Sequence, residues 1–337
     1  MRRVKLFTID ALPYRQLIPV YGYRFGSRKK TLAVMGAIRG DEVQQMYVAA
    51  RLVRKFSELE KEGAFAPDCG VLVVPCAGQF SMNVSKRFWP LDNTDINRMF
   101  PGYGAGETTQ RLADRIFTAL QGYEWGVHLA SFYLPGDFVP HVRVMDTGYQ
   151  SNEEGLDFGL PYLMIRKPHP YDTTTLNFNW QVWDTCTFSV YSRTTDFIDE
   201  SSAELAAESI LRFLAKRGML RSKVPESVLR FLAEKGMLGW EIPEGSKTKI
   251  VKEEELINIH NKKGGILIRY HHPADFVRAG NLLAEIIDPY TTEVREKICA
   301  PTDGTLFFAH HAQLIAGHSI VYRLIPKSRA GQCENKE

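Results

Sequence analysis

Several features that would narrow the class of this 337-residue protein are missing from its sequence. The five cysteines are odd in number and form no CxxC pair, which favours a reduced, intracellular compartment over a disulfide framework. No apolar run resembles a signal peptide or approaches the length of a transmembrane helix. With 42 basic and 39 acidic residues, no charge excess favours nucleic acid or an anionic membrane. We therefore expect a cytoplasmic protein with neither of these partners.

The composition is that of an ordinary globular protein. Hydrophobic residues make up 44% of the chain and charged residues 24%, which argues against disorder. A chain of this length buries an ample core without disulfides or a structural metal, and its length favours about two domains. Nothing in the sequence determines the oligomeric state.

Short apolar runs alternate with helical patterns over the first 220 residues. The predicted strands cover residues 31–36, 70–75, 125–130 and 185–191, with an edge strand or hairpin arm at 14–24 that contains Pro19. The predicted helices cover residues 42–61, 108–120 and 201–216. Residues 150–180 show few periodic signals and are interpreted as loops. This order predicts an α/β fold with a mixed sheet flanked by helices, whose site lies beyond the carboxyl ends of the strands.

The sequence pattern changes near residue 247. From there on, short segments of alternating polar and apolar residues are separated by Gly and Pro. Such segments predict a smaller β-rich domain. We therefore expect a first domain over residues 1–220, a helical connection over 221–246, a β-rich domain over 247–327 and a tail over 328–337.

The loop at residues 87–102 holds most of the candidate binding chemistry. Its sequence, RFWPLDNTDINRMFPG, contains two arginines, two asparagines and two aspartates. Forked guanidinium donors suit carboxylates and oxyanions, so Arg87, Asn97 and Arg98 are candidate contacts for a small anionic ligand. The composition alone equally allows a loop held together by internal Arg–Asp pairs.

This loop resembles one found in the aspartoacylase and succinylglutamate desuccinylase family, a branch of the zinc carboxypeptidase fold. The family shows the pattern R…P-x-D…D-x-N-R-x-F-P-G, which residues 87–102 match. Three further segments fit in order. Residues 36–42, GAIRGDE, correspond to G-x-H-G-[DN]-E, residues 126–128, GVH, to D-L-H, and residues 300–304, APTDG, to an A-P-x-x-G turn.

The resemblance implies a zinc-carboxypeptidase-like mixed sheet followed by a β-rich domain similar to a biotinyl or lipoyl sandwich. It also implies one zinc held by an H-x-x-E motif and a distal histidine, with a water as fourth ligand and a glutamate as general base. When the family's metal-ligand positions are mapped onto this sequence, they correspond to Glu42 and His128. The residues that hold substrate are Arg87, Asn97 and Arg98, and we add Arg143 as a further candidate carboxylate contact. The implied reaction is hydrolysis of an N-acyl amino acid.

The sequence departs from the family pattern at two central positions. Arg39 stands where the family has its first histidine ligand, and a guanidinium stays protonated and cannot bind a metal. Ser189 stands at the position of the glutamate base, and a serine hydroxyl does not accept a proton near neutral pH without its own base. Because Arg39 can pair with Glu42 three residues later, its charge could replace that of zinc. We therefore expect a degraded zinc site that binds a small anionic N-acyl amino acid-like ligand with weak or no standard hydrolysis.

Other interpretations remain open at this point. The first alternative is an active zinc-dependent amide hydrolase with a rearranged metal site, and the second is a scaffold or regulatory subunit of an active relative. Residues that could complete a rearranged site, although spacing supports none of them, are His141, His169, His271, His272, His310 and His311 as ligands and Glu153, Glu154 and Asp184 as bases. A nucleophilic role for Cys76 lacks a histidine partner, so a buried structural cysteine is favoured.

Overall fold

The computed structural model describes residues 1–9, 17–221 and 245–327. Nearly all of the predicted connection at 221–246, and the tail from 328, lie outside the described residues. The chain forms two compact units. The first consists of Met1–Ser131 and Pro140–Val251, and the second joins Phe132–Val139 to the chain from Lys252 onward.

The first unit is built on a nine-stranded mixed sheet in the order β1-β2-β4-β3-β5-β9-β7-β8-β10. Its strands are β1 Arg2–Ile9, β2 Ile18–Gly26, β3 Leu32–Ala37, β4 Gly70–Cys76, β5 Trp125–Leu129, β7 His141–Met145, β8 Tyr162–Arg166, β9 Cys186–Tyr191 and β10 Lys249–Lys252. The central strands β4, β3, β5 and β9 run parallel. Nearly all of their residues are buried because both of their faces are covered, and β3 and β4 are almost continuously apolar, which confirms the strands predicted from the short apolar runs.

Helices cover both faces of this sheet. They are α1 Val43–Lys61, α2 Gln79–Asn83, α3 Thr108–Leu120, α4 Leu176–Val182 and α5 Glu200–Lys216. On one face α1 and α5 contribute Leu52, Phe56 and Ile210 to a core with the strands. On the other face α3 and α4 contribute Ile116 and Trp180 to a second core. The α/β fold class is confirmed.

The buried stripe of α1 differs from the predicted one. The apolar face predicted from steps of three and four consists of Val43, Met46, Tyr47, Ala50, Val53 and Phe56. Of these, Phe56 is buried and Ala50 is exposed, and the other apolar residues that the helix buries include Val48, Ala49 and Leu52. Gln44 and Gln45 extend the buried side because their amides find partners there. Gln44 donates to the carbonyl of Asp199 at 3.0 Å, and Gln45 donates to that of Ala130 at 3.2 Å.

Two further expectations need correction. Residues 150–180 are not loops throughout, since they contain strand β8 and most of α4. Strand β2 is not the sheet edge, which is formed by β1, and the other predicted alternative, a hairpin arm, agrees with its antiparallel pairing to β1. Pro19 is tolerated because only Tyr23–Gly26 of β2 pair with β4, so the missing N–H of Pro19 removes no bond from that ladder.

The second unit consists of two antiparallel sheets around a separate core. Its strands are β6 Gly136–Phe138, β11 Ile257–His260, β12 Gly265–Arg269, β13 Phe276–Val277, β14 Leu282–Ile287, β15 Val294–Cys299, β16 Gly304–His310, β17 Leu314–Ile315 and β18 Ile320–Pro326. One sheet is β11-β18-β16-β13 with β6 also paired to β16, and the other is β15-β14-β12-β17. Strand β6 comes from the middle of the chain and pairs Phe138 with Phe308. Within the described residues, no helix is both long and apolar enough to cross a membrane.

Candidate functional site

The corner between β3 and α1 holds a buried arginine–glutamate pair. Arg39 is 3% exposed and Glu42 is fully buried. Nη1 of Arg39 donates to Oε1 of Glu42 at 3.0 Å, and Oγ of Ser131 donates to the same oxygen at 2.5 Å. The other carboxylate oxygen of Glu42 accepts the backbone N–H groups of Ile38 and Arg39 at 2.8 and 3.0 Å. Both oxygens of Glu42 therefore already have two donors each.

The loop sequence RFWPLDNTDINRMFPG supplies a second carboxylate to the same arginine. The two carboxylate oxygens of Asp95 accept hydrogen bonds from Nε and Nη2 of Arg39 at 2.8 and 2.9 Å, which is the bidentate geometry of a strong ion pair. Burial acts to lower the pKa of Arg39, but Glu42 and Asp95 together raise it well above its ordinary value. Burial alone would raise the pKa of both carboxyls, yet the guanidinium holds each below its usual range. All three groups are therefore charged at neutral pH.

A second chain of contacts links strand β5 to strand β9 through α4. Oδ1 of Asn177 lies 3.1 Å from Nδ1 of His128, and Nδ2 of Asn177 donates to Oγ of Ser189. Nε2 of His128 is buried without a hydrogen-bond partner among the described residues. Burial lowers the pKa of His128 to about 4, and the negative charge of Glu42 offsets this only in part. His128 is therefore neutral at pH 7.

Strand register aligns three of the predicted site residues in one row across the sheet. His128 on β5 lies opposite Ser189 on β9, and Ser189 lies opposite Arg143 on β7. Residues that are directly opposite in neighbouring strands project from the same face, so all three face the side covered by α3 and α4. The guanidinium of Arg143 lies over the ring of Tyr191, 4.8 Å from its centroid.

The three loop residues predicted to bind an anion have different environments. Arg87 donates to Oδ2 of Asp41 at 2.7 Å, so its charge is paired. Asn97 accepts the first N–H of α4, from Leu176, at 3.0 Å and thereby holds the helix that presents Asn177. Arg98 donates to the carbonyl of Asn97 at 3.0 Å, and no carboxylate in the described part of the chain forms an ion pair with it. Burial, reinforced by Arg39, lowers the pKa of Arg98, and the charges of Asp95 and Asp172 offset this only in part.

The described residues contain no cluster of three or more His, Cys, Asp or Glu side chains placed to hold a metal ion. Of the alternative ligands in the first unit, His141 is fully buried and stacked on Tyr191, and His169 stacks on Tyr171. Burial raises the pKa of the Cys76 thiol to about 12, which keeps it protonated and unreactive.

Three residues of this site were missed by the sequence analysis as partners of the predicted ones. They are Asp95 and Ser131, which contact the Arg39–Glu42 pair, and Asn177, which connects His128 to Ser189. Asp95 stands in the quoted loop, two residues before Asn97, and could have been assigned to the arginine. Asn177 lies in a segment without periodicity and gave no signal.

Comparison with known families agrees with this fold and loop. Residues 28–129 match the model of the Succinylglutamate desuccinylase/Aspartoacylase catalytic domain, which confirms the resemblance expected from the sequence. A curated relative, the N-alpha-acetyl-L-2,4-diaminobutyric acid deacetylase of Halomonas elongata, is 25% identical over 157 residues. That match covers 44% of this chain and 43% of the relative, less than half of either protein.

Several solved structures share the fold over most of their length. A succinylglutamate desuccinylase from a Silicibacter species has a TM-score of 0.73 at 18% identity, with 91% of this chain and 88% of that chain covered. An aspartoacylase family protein from Mesorhizobium loti has a TM-score of 0.73 at 17% identity, covering 96% and 94%. The product-bound ectoine utilization protein EutE (DoeB) from Ruegeria pomeroyi has a TM-score of 0.72 at 16% identity, covering 92% and 90%.

Proposed function

We propose that this chain binds a small anionic ligand of the N-acyl amino acid type at a metal-free site, with weak or no zinc-dependent hydrolysis. The observation that carries the proposal is the position of Arg39, whose guanidinium is shared between Glu42 and Asp95. The guanidinium provides a fixed positive charge where the family pattern has a zinc ligand.

The donor set around Glu42 supports a site without zinc. A zinc ligand needs a free oxygen or nitrogen lone pair directed at the metal, about 2.0–2.2 Å away. Glu42 accepts four hydrogen bonds, and one of them comes from a permanent cation 3.0 Å away. A divalent ion beside that guanidinium would meet charge repulsion, and Arg39 offers no lone pair in exchange. The residues present therefore do not fit the zinc centre implied by the family pattern.

The charge balance of the loop supports an anionic ligand. Arg39 and Arg87 are paired with carboxylates, whereas Arg98 has no such partner among the described residues. A half-buried guanidinium without an ion-paired carboxylate favours a carboxylate or another oxyanion as its ligand. The ligand class is suggested by the Halomonas relative, whose name describes removal of an acetyl group from an amino acid.

Zinc content tests the metal-free site directly. The parent protein is loaded with excess zinc, desalted and assayed for bound metal per chain, together with Arg39→His and Arg39→Gln. We expect little retained zinc in the parent and a gain in Arg39→His, because an imidazole would complete a set with Glu42 and His128. Arg39→Gln is the matched control, since it removes the same charge without supplying a metal ligand. Near-stoichiometric zinc in the parent would contradict the proposal and favour the rearranged active hydrolase.

Ligand binding tests the second half of the proposal. Titration calorimetry with N-acetyl amino acids on metal-free protein should show saturable binding that weakens about tenfold or more in Arg98→Gln. Arg54→Gln, at an exposed arginine of α1, is the control and should bind as the parent does. Equal affinity in Arg98→Gln and the parent would remove this arginine from the site, and rapid hydrolysis of the same compounds would argue against a degraded centre.

A further inference from the structure

A cationic pocket lies in the first unit, at the end of the sheet away from the site described above. It has a volume of about 310 Å³ and is lined by Met1, Arg2, Arg24, Gly26, Ser27, Arg28 and Glu60. The pocket lies where β2 turns into β3, beside the amino ends of β3 and β4, because Gly26 pairs with Gly70 in the sheet. The Arg39 site is beyond the carboxyl end of β3, so the two sites are at opposite ends of the parallel strands.

The arginines of this pocket lack counter-ions. Arg2 and Arg24 are directly opposite in the antiparallel β1–β2 pair, an arrangement in which like charges repel. Neither they nor Arg28 forms an ion pair with a carboxylate in the described part of the chain. Glu60 is the acid that lines the pocket, and its carboxylate already binds the N–H of Gly26 at 2.9 Å and the Met1 amine. Three arginines therefore line the pocket without an ion-paired carboxylate.

The turn that forms the floor of the pocket is fixed by backbone geometry. Gly26 has φ +66°, and a Cβ there would lie 2.3 Å from the carbonyl oxygen of Cys69, so no other residue fits without displacement. The next N–H, of Ser27, donates to that same carbonyl at 2.8 Å. Oγ of Ser27 in turn accepts the N–H of Lys29 at 3.2 Å. The backbone of this turn is thus held in place before any ligand binds, which lowers the entropic cost of binding.

A neighbouring cavity extends this pocket. It has a volume of about 370 Å³ and shares Gly26, Ser27 and Glu60 with the first. It adds the fourth arginine, Arg221, together with apolar surface from Phe65, Ala66 and Pro67. Both volumes lie within the range of small-molecule sites. A ligand with an anionic group and a less polar remainder would match this pair of cavities.

We propose that Arg2, Arg24 and Arg28 form a binding site for the phosphate group of a small phosphorylated molecule. A phosphate offers up to three acceptor oxygens to planar guanidinium forks and carries enough negative charge to offset the repulsion between Arg2 and Arg24. The remainder of the ligand would extend along the neighbouring cavity toward Arg221 and Pro67.

Titration calorimetry at low ionic strength with pyrophosphate tests this site on the full chain. We expect saturable binding to the parent and a loss of about tenfold or more in the double variant Arg24→Gln/Arg28→Gln. The control Arg54→Gln/Arg278→Gln also removes two positive charges, but from exposed positions outside the pocket, and should leave the affinity unchanged. An equal loss in the control, or no saturable binding to the parent, would overturn the proposal.

Two further measurements distinguish this pocket from the Arg39 site and phosphate from other anions. In Arg98→Gln, in the site of the proposed function, saturable pyrophosphate binding should persist and be lost when Arg24→Gln/Arg28→Gln is added; loss of all binding in Arg98→Gln alone would place the anion at the Arg39 site and overturn the pocket. Citrate, a polycarboxylate of similar charge, should bind more weakly, and equal affinity would overturn the assignment to phosphate. Urea unfolding of the double variant should show unchanged or increased stability, because the repelling charges are removed.

Discussion

Replacing Arg39 by methionine tests whether the buried ion cluster is held together by this one guanidinium. The change removes four hydrogen bonds, two to Asp95, one to Glu42 and a long one of 3.5 Å to Oγ of Ser131. Asp95 retains the N–H of Asn97 at 3.0 Å and has a side chain that is 18% exposed, so water can replace part of the loss. Glu42 is fully buried, and its carboxylate would be left without a cation.

The uncompensated charge of Glu42 therefore sets the size of the effect. Removing one partner of a buried ion pair typically costs about 3–5 kcal/mol, several times the value of an exposed pair. The three donors that Glu42 keeps, from Ser131 and two backbone N–H groups, place the expected cost toward the lower end of that range. We expect the free energy of unfolding of Arg39→Met to fall by about 3 kcal/mol.

Urea unfolding at pH 7, followed by intrinsic tryptophan fluorescence, measures this loss, with Arg54→Met as the control at a side chain that is 78% exposed. The control should change the stability by less than about 0.5 kcal/mol. Adding Glu42→Gln to Arg39→Met should recover part of the loss, because the buried charge is then removed together with its partner. A cost below about 1 kcal/mol, or no recovery in the double variant, would refute the argument.

Two other predictions concern ionisable groups. The pKa of His128 is lowered from 6.5 to about 4, so the stability it contributes is present above pH 6.5 and is lost as the pH falls toward 4. The free energy of unfolding should fall by about 3 kcal/mol across that window, and a parent protein with the same slope as His128→Gln would contradict this. Iodoacetamide at pH 8 should label the exposed Cys299 and leave the buried Cys76 unmodified in folded protein, as read by peptide mass spectrometry; rapid labelling of Cys76 would show that its thiol is not protonated.

The sheet of the first unit could be predicted because its central strands are buried on both faces. Such strands are short, continuous apolar runs, and the runs at 31–36 and 70–75 correspond to β3 and β4. Strand β8 could not be found this way, since its sequence YLMIR lies between segments without periodicity. The edge strand β1 alternates polar and apolar residues too weakly to stand out, and pairing with β2 determines it.

The face of α1 shows a different limit of pattern reasoning. A helical pattern places polar residues in solvent, yet Gln44 and Gln45 are buried because backbone carbonyls far along the chain accept their amides. Those carbonyls, in Asp199 and Thr194, are about 150 residues away, so no local window contains them. Because the predicted face of α1 contains only apolar residues, it leaves out buried amides such as Gln44 and Gln45.

The sequence predicts which residues belong to the site better than it predicts which of their side chains contact one another. Spacing suggested the Arg39–Glu42 contact, since both residues lie within one turn of chain. The pairing of Arg39 with Asp95 joins positions 56 residues apart and depends on how the loop folds over the corner. Asn177 reaches His128 and Ser189 only because Asn97 holds the first turn of α4 beside the sheet.

Strand β6 makes the second unit discontinuous in sequence, and this limits how the protein can be divided. A stop codon after residue 251 would remove β16 and leave Phe138, now 4% exposed and packed against Phe308, on an unpaired strand within the remaining chain. Such an uncovered apolar strand promotes aggregation. Gene fusions or domain exchanges that cut the chain once therefore cannot transfer the β-rich unit intact, and a workable transfer needs residues 132–139 to move with it.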